Sequence, residues 1–104
     1  MERVIDLTAV VEREMANYVW DQDDSKAYLM KNEAHQMYAV LIIPVNKPQD
    51  SQIIIVAHIE GDKVVIDTDL TDKPLYKALL IAGVPETQIV RAYAKVRTSY
   101  SATH

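Results

Sequence analysis

The chain has 104 residues, 49% apolar and 25% charged, with a formal net charge of −4 and no cysteine. That length suits one domain, residues 1–104, with a single core, and the missing thiols exclude disulfides, thiolate metal sites and cysteine nucleophiles. No apolar run approaches the ~18 residues of a membrane span and the acids within MERVIDLTAVV break any secretory-leader pattern, so a cytoplasmic protein with no membrane partner is expected.

Residues 3–20 carry Val4, Leu7, Val11, Met15 and Tyr18 at spacings of three and four, which predicts an amphipathic helix. The polar run WDQDDS, 20–25, ends it. A strand-rich stretch follows: KAYLMK (26–31), a turn at 32–35, and QMYAVLIIP (36–44), which stops at Pro44. QIIIVAHIE (52–60) has four consecutive large apolar residues and reads as a central strand with both faces at least partly covered. Gly61-Asp62 then makes a two-residue hairpin loop into KVVIDTD (63–69). That loop fixes a register of Glu60 opposite Lys63, Ile59 opposite Val64, His58 opposite Val65 and Ala57 opposite Ile66. It implies an opposite-charge pair, Glu60–Lys63, and sets His58 diagonal to Asp67.

The second helix is KPLYKALLIAG (73–83), with Pro74 in its first turn and Leu75, Leu79 and Ala82 on one stripe. Thr71 or Asp72 is the expected cap oxygen, Gly83 the left-handed terminator, and Pro85 prevents resumption. QIVRAYA (88–94) is a last short strand. The fold class is therefore α+β: an N-terminal helix, an antiparallel meander of about four strands, a second helix and a short C-terminal strand. Both helices are expected on one face of the sheet.

Three aspartates, Asp67, Asp69 and Asp72, follow one another where the fourth predicted strand meets the second helix. VVIDTDLT resembles the first motif of the haloacid dehalogenase-like phosphatases, in which the first Asp attacks phosphorus and the second is acid and base. The roles would fall to Asp67 and Asp69, as in a small metal-dependent phosphohydrolase. Yet 35 residues follow Asp69 in the 104-residue chain, too few for the parallel crossovers of about 30 residues each that such a domain needs. Asp67, Asp69 and Thr71 also have the 1-3-5 spacing of a calcium loop. That loop's glycine position holds Asp72, however, and its bidentate glutamate position holds Ala78. Caps at a strand-to-helix turn need only the residues present, so no catalytic, cofactor or metal residue is assigned.

Fifteen acids outnumber eleven bases, and the one basic concentration is Arg91, Lys95 and Arg97. Direct nucleic-acid binding would rest on those three, without the basic face such proteins carry. His35 lies in a turn, His58 in a strand and His104 at the terminus, and none has the base-and-orienter company of a catalytic histidine. Trp20, Tyr93 and Tyr100 sit near the ends of elements, where aromatics either anchor a partner or close a small core.

HIEGDKVVIDTDLTDKPLYKALLIAGVPETQIVRAY, residues 58–93, resembles the C-terminal half of the XisI-like family, cyanobacterial proteins named as controlling factors for excision of the fdxN DNA element. The likeness rests on His58, the Gly61-Asp62-Lys63 turn, Asp69 with Thr71, Gly83-Val84-Pro85, and Ile89-Val90. Val65 replaces a frequent aromatic, and KVRTSYSATH does not follow the usual ending. The resemblance implies a small non-enzymatic accessory protein that acts through a XisH-like partner, itself similar to nuclease-fold proteins. An exposed sheet edge would suit that partner, or a second copy of this chain in a homo-oligomer.

Overall fold

The computed structural model describes residues 6–93. Two helices, α1 (Leu7–Ala16) and α2 (Leu75–Ile81), accompany six strands: β1 (Trp20–Asp21), β2 (Ser25–Asn32), β3 (Met37–Pro44), β4 (Gln52–Glu60), β5 (Lys63–Asp69) and β6 (Ile89–Arg91). The strands form one sheet in the order β1-β2-β3-β4-β5-β6. All neighbours are antiparallel except β5 and β6, which are parallel.

The α+β class stands, with three corrections to the expected detail. The first helix is shorter than 3–20. Among the described residues it starts after Asp6, whose carboxylate accepts the Ala9 N–H at 3.2 Å, and ends at Asn17. Trp20 is not its last residue but a strand residue: Gln22 N–H donates to the Ser25 carbonyl at 3.0 Å, folding β1 back onto Ala27 and Lys26. A two-residue strand leaves no periodicity to read, so this fifth antiparallel strand escapes the sequence pattern. The last strand is shorter than 88–94 because a 3₁₀ turn takes up Gln88 and the chain turns helical at Ala92 and Tyr93, residue 94 lying outside the described residues. It runs parallel to β5 because a helix, not a hairpin, connects the two.

The hairpin register is the expected one for all four pairs from Glu60–Lys63 to Ala57–Ile66. Gly61 has φ +61° and Asp62 does not share the sign, the pattern of a type II′ turn. The expected Glu60–Lys63 ion pair does not form. Lys63 Nζ donates instead to the Thr87 carbonyl at 3.4 Å, while Glu60 holds His58.

One hydrophobic cluster joins both helices to the same side of the sheet. Val11, Met15, Val40, Ile55, Ala57, Val64, Ile66, Leu75 and Leu79 are all fully buried within it. Val10 joins the α1 stripe, while Val4 lies outside the described residues and Tyr18 lies beyond the helix. The central strand is covered on one side only. Its apolar run is continuous because of a bulge: Val40 pairs with Ile55 and Leu41 with Ile53, leaving Ile54 as an extra residue. Ile54 and Ile55 both turn into the core, while Ile53 on the other side is 43% exposed.

The end of α2 is a Schellman motif. Val84 N–H donates to the Leu79 carbonyl at 3.0 Å and Gly83 N–H to the Leu80 carbonyl at 3.1 Å, with Gly83 at φ +105° and Val84 buried. A β-carbon at Gly83 would meet nothing within 4 Å, so the cost of adding one is purely conformational. Gly83→Ala is expected to lower stability by about 1–2 kcal/mol in urea unfolding.

Candidate functional site

The acidic segment is a corner with its donors already in place. Asp69 Oδ1 accepts the Thr71 N–H at 3.0 Å and lies 2.7 Å from Thr71 Oγ1; Oδ2 accepts the Leu75 N–H at 2.7 Å. One carboxylate thus closes the turn and caps α2 from six residues away. This corrects the expected cap: neither Thr71 nor Asp72 binds the helix amides. Thr71 orients Asp69 and reaches the Lys73 carbonyl at 2.9 Å, and Asp72 is exposed. The reason is Pro74, which holds the residue before Leu75 in extended backbone with no N–H to offer. The first amide free for capping is therefore deeper in the fold, within reach of the strand. Tyr18 locks the corner to the end of α1 by donating its hydroxyl to the Lys73 carbonyl. Burial and, next, the negative charge of Asp69 raise the Tyr18 pKa, keeping that hydroxyl a donor.

Asp67 belongs to a different environment. A second bulge pairs Ala57 with Ile66 and Val56 with Thr68, so Asp67 is the extra residue of β5. It faces His58, whose Nδ1 lies 2.7 Å from Asp67 Oδ2, while Nε2 lies 2.8 Å from Glu60 Oε2. The diagonal His58–Asp67 neighbour read from the hairpin is thus a direct contact; the part of Glu60 was not foreseen, although its i+2 spacing from His58 is the signal for it. Two carboxylate partners require both ring nitrogens to donate, which is the imidazolium. The Glu60 hydrogen bond most of all, then the hydrogen bond and charge of Asp67, raise the His58 pKa against the opposing effect of partial burial.

Asp67 and Asp69 are therefore not brought together. Asp67 is bound to His58 on the open side of the sheet, and Asp69 to the start of α2 on the helix side. Among the described residues, no group of three or more histidine, aspartate or glutamate side chains is arranged to hold a metal ion. The ring of His58 separates its two carboxylates, so their lone pairs do not converge on one point.

Beside the corner lies a cleft of about 470 Å³. Trp20 and Ile54 form its apolar wall, Leu70 stands at its mouth 64% exposed, and Gln52, Asp72 and Lys73 supply polar rim. Trp20 packs against the core and donates its indole N–H to Ser25 Oγ at 3.0 Å, which fixes the plane of the ring. Tyr93 also packs partly on the core, but beyond β6, so these two aromatics lie at opposite edges of the sheet. Tyr100 lies outside the described residues, as do Lys95 and Arg97. Arg91 sits with its guanidinium 4.0 Å from the centre of the Tyr76 ring, whose hydroxyl donates to Glu86 at 2.6 Å. No helix among the described residues is long and apolar enough to cross a membrane.

Fold and site together define a small α+β domain: a mixed six-stranded sheet with both helices on one side and an acidic corner in which Asp69 is bound to backbone and Asp67 to His58. A family model described as XisI protein matches residues 1–102, and the chain belongs to that family. Two solved structures, both from Anabaena variabilis ATCC 29413, share the fold. One, a XisI-like protein, is 18% identical with a TM-score of 0.73 over 88% of this chain and 87% of its own. The other, the fdxN element excision controlling factor XisI, is 21% identical with a TM-score of 0.54 over 84% of this chain and 85% of its own. No curated protein matches the chain.

Two outcomes follow from the corner and the histidine. Asp69→Ala is expected to cost about 2 kcal/mol, because it removes the cap of α2 and leaves Leu75 N–H without its acceptor, whereas Asp72→Ala is expected to stay within about 0.5 kcal/mol. Urea titrations of both variants check this. A raised folded-state pKa means that the His58 contribution is complete below the unfolded value of about 6.5 and is lost as pH rises through the folded value. Stability measured against pH is expected to fall across that window in the wild type, and His58→Gln is expected to flatten that part of the profile.

Proposed function

We propose that this protein is a non-enzymatic accessory factor controlling excision of a DNA element, and that it acts in the cytoplasm through a XisH-like protein partner. The family match over residues 1–102 carries this reading. The name of one structural neighbour, an excision controlling factor, gives it its content. The local chemistry supports it as well. Asp67 and Asp69 are held apart on separate tasks, so a phosphohydrolase using the pair finds no support in their geometry.

The cleft beside the corner is the surface we assign to the partner. Trp20 offers a rigid aromatic wall of the kind that dominates interface energetics, and Leu70 is an apolar side chain left 64% exposed next to it. Tyr93 and Tyr100, the other aromatic candidates, are assigned no part in this cleft. With eleven bases against fifteen acids, the affinity for DNA is assigned to the partner and not to this chain.

Co-expression with a XisH-like protein is expected to yield a complex that survives size exclusion. Leu70→Asp, at an exposed position, is expected to leave the fold intact and weaken that complex by at least about tenfold. The absence of any complex would overturn the proposal. So would magnesium-dependent phosphoester hydrolysis that Asp67→Asn abolishes.

A further inference from the structure

The side of β2–β5 turned away from the helices is apolar across its middle. The register sets Tyr28 beside Leu41 and Leu41 beside Ile53, with Met30, Ala39 and Val56 in the next row and Met37 beside His58. Tyr28, Met30, Met37 and Ile53 remain 46%, 41%, 41% and 43% exposed. Charged groups flank the middle of this surface: Lys26 at the start of β2, and His58, Glu60, Lys63 and Asp67 on the hairpin side, Asp67 next to the Val56–Thr68 pair. Scattered exposed apolar residues need no explanation, but a contiguous patch rimmed by polar groups does.

We propose that this open sheet face is the interface of a symmetric homodimer, in which two copies stack face to face as a two-layer sandwich. The area is sufficient. Strands of eight, eight, nine and seven residues lie side by side. At about 4.8 Å between strands and about 3.3 Å per residue they present roughly 500 Å² per copy in projection, roughly 1,000 Å² per pair. Specific interfaces begin at about that size. The composition fits as well, with methionine and tyrosine at the centre and charge at the rim.

The occupant follows from what the middle of the face lacks. A partner of a different kind is selected above all by charges that reject the wrong surface, and the central rows offer no charge, their only polar groups being Thr68 opposite Val56 and the Tyr28 hydroxyl. A second copy needs no such selector, because a two-fold axis supplies the same surface in register with itself, and sheet faces pack on sheet faces about 10 Å apart. The cleft by Trp20 opens on the helix side, so dimerisation leaves it free.

Sedimentation equilibrium of the full chain is expected to give twice the 11.8 kDa protomer mass. Met30→Glu, shown to be folded by circular dichroism, is expected to weaken the dimer by at least about tenfold. Should that variant fail to fold, spin-labelled Tyr28→Cys in this otherwise cysteine-free chain reads the same contact, and strong dipolar coupling between copies is expected. A wild-type monomer at the highest soluble concentration overturns the proposal, including one whose open face is covered only by a XisH-like protein. A dimer that Met30→Glu leaves intact, or labels with no coupling, overturns it too. Loss of the XisH-like complex with the dimer preserved counts against the proposed function alone.

Discussion

Asp69 accepts hydrogen bonds from the backbone of Thr71 and of Leu75, and those two contacts decide where the second helix lies. They turn the chain at the end of β5 toward the side on which Asp69 points, so that Leu75 and Leu79 descend onto Ile55 and Ile66 and meet α1. A charged acceptor in a partly buried turn is worth about 1.5–3 kcal/mol when satisfied, and here it also holds apolar surface in place. Tyr18 reinforces the arrangement from the far end of α1. Asp69, one of the carboxylates that looked most like chemistry in the sequence, thus has an architectural task.

The same commitment explains the asymmetry of the sheet. With both helices and their connections gathered on one side, nothing among the described residues covers the other. Bulges at Ile54 and Asp67 accentuate this division, because each adds one residue to a strand and lets two successive side chains share a side. At Ile54 the extra residue enriches the core. At Asp67 it adds a charge to the open side, giving His58, which lies between Val65 and Met37 and already holds Glu60, a second carboxylate.

What could be read from the sequence was whatever a local rule enforces. The Gly61-Asp62 loop fixed four cross-strand pairs, Pro44 ended β3, and Gly83 ended α2, since each depends on a backbone preference carried by one or two residues. The unread features were those set by tertiary reach. A bulge shifts register without any residue type to announce it, so QIIIVAHIE read as a strand with both faces at least partly covered. The cap of α2 came from six residues upstream and not from the adjacent Thr71 or Asp72. β1 was too short for a pattern. The cleft combines Trp20, Ile54 and Leu70 from three separate parts of the chain, and only Trp20 drew notice in advance. The family likeness, by contrast, was carried by ordered short motifs from His58 to Val90, and it survived these local misreadings because it did not depend on them.

The pairing on either side of Asp67 has a consequence for how this hairpin tolerates change in length. Ala57 with Ile66 and Val56 with Thr68 are already in phase with an uninterrupted ladder, so excising this one codon would leave every downstream side chain on its present side. The hairpin thus contains one dispensable rung, and it is the rung that carries the acid beside His58: its removal would take that charge away without disturbing the corner that follows.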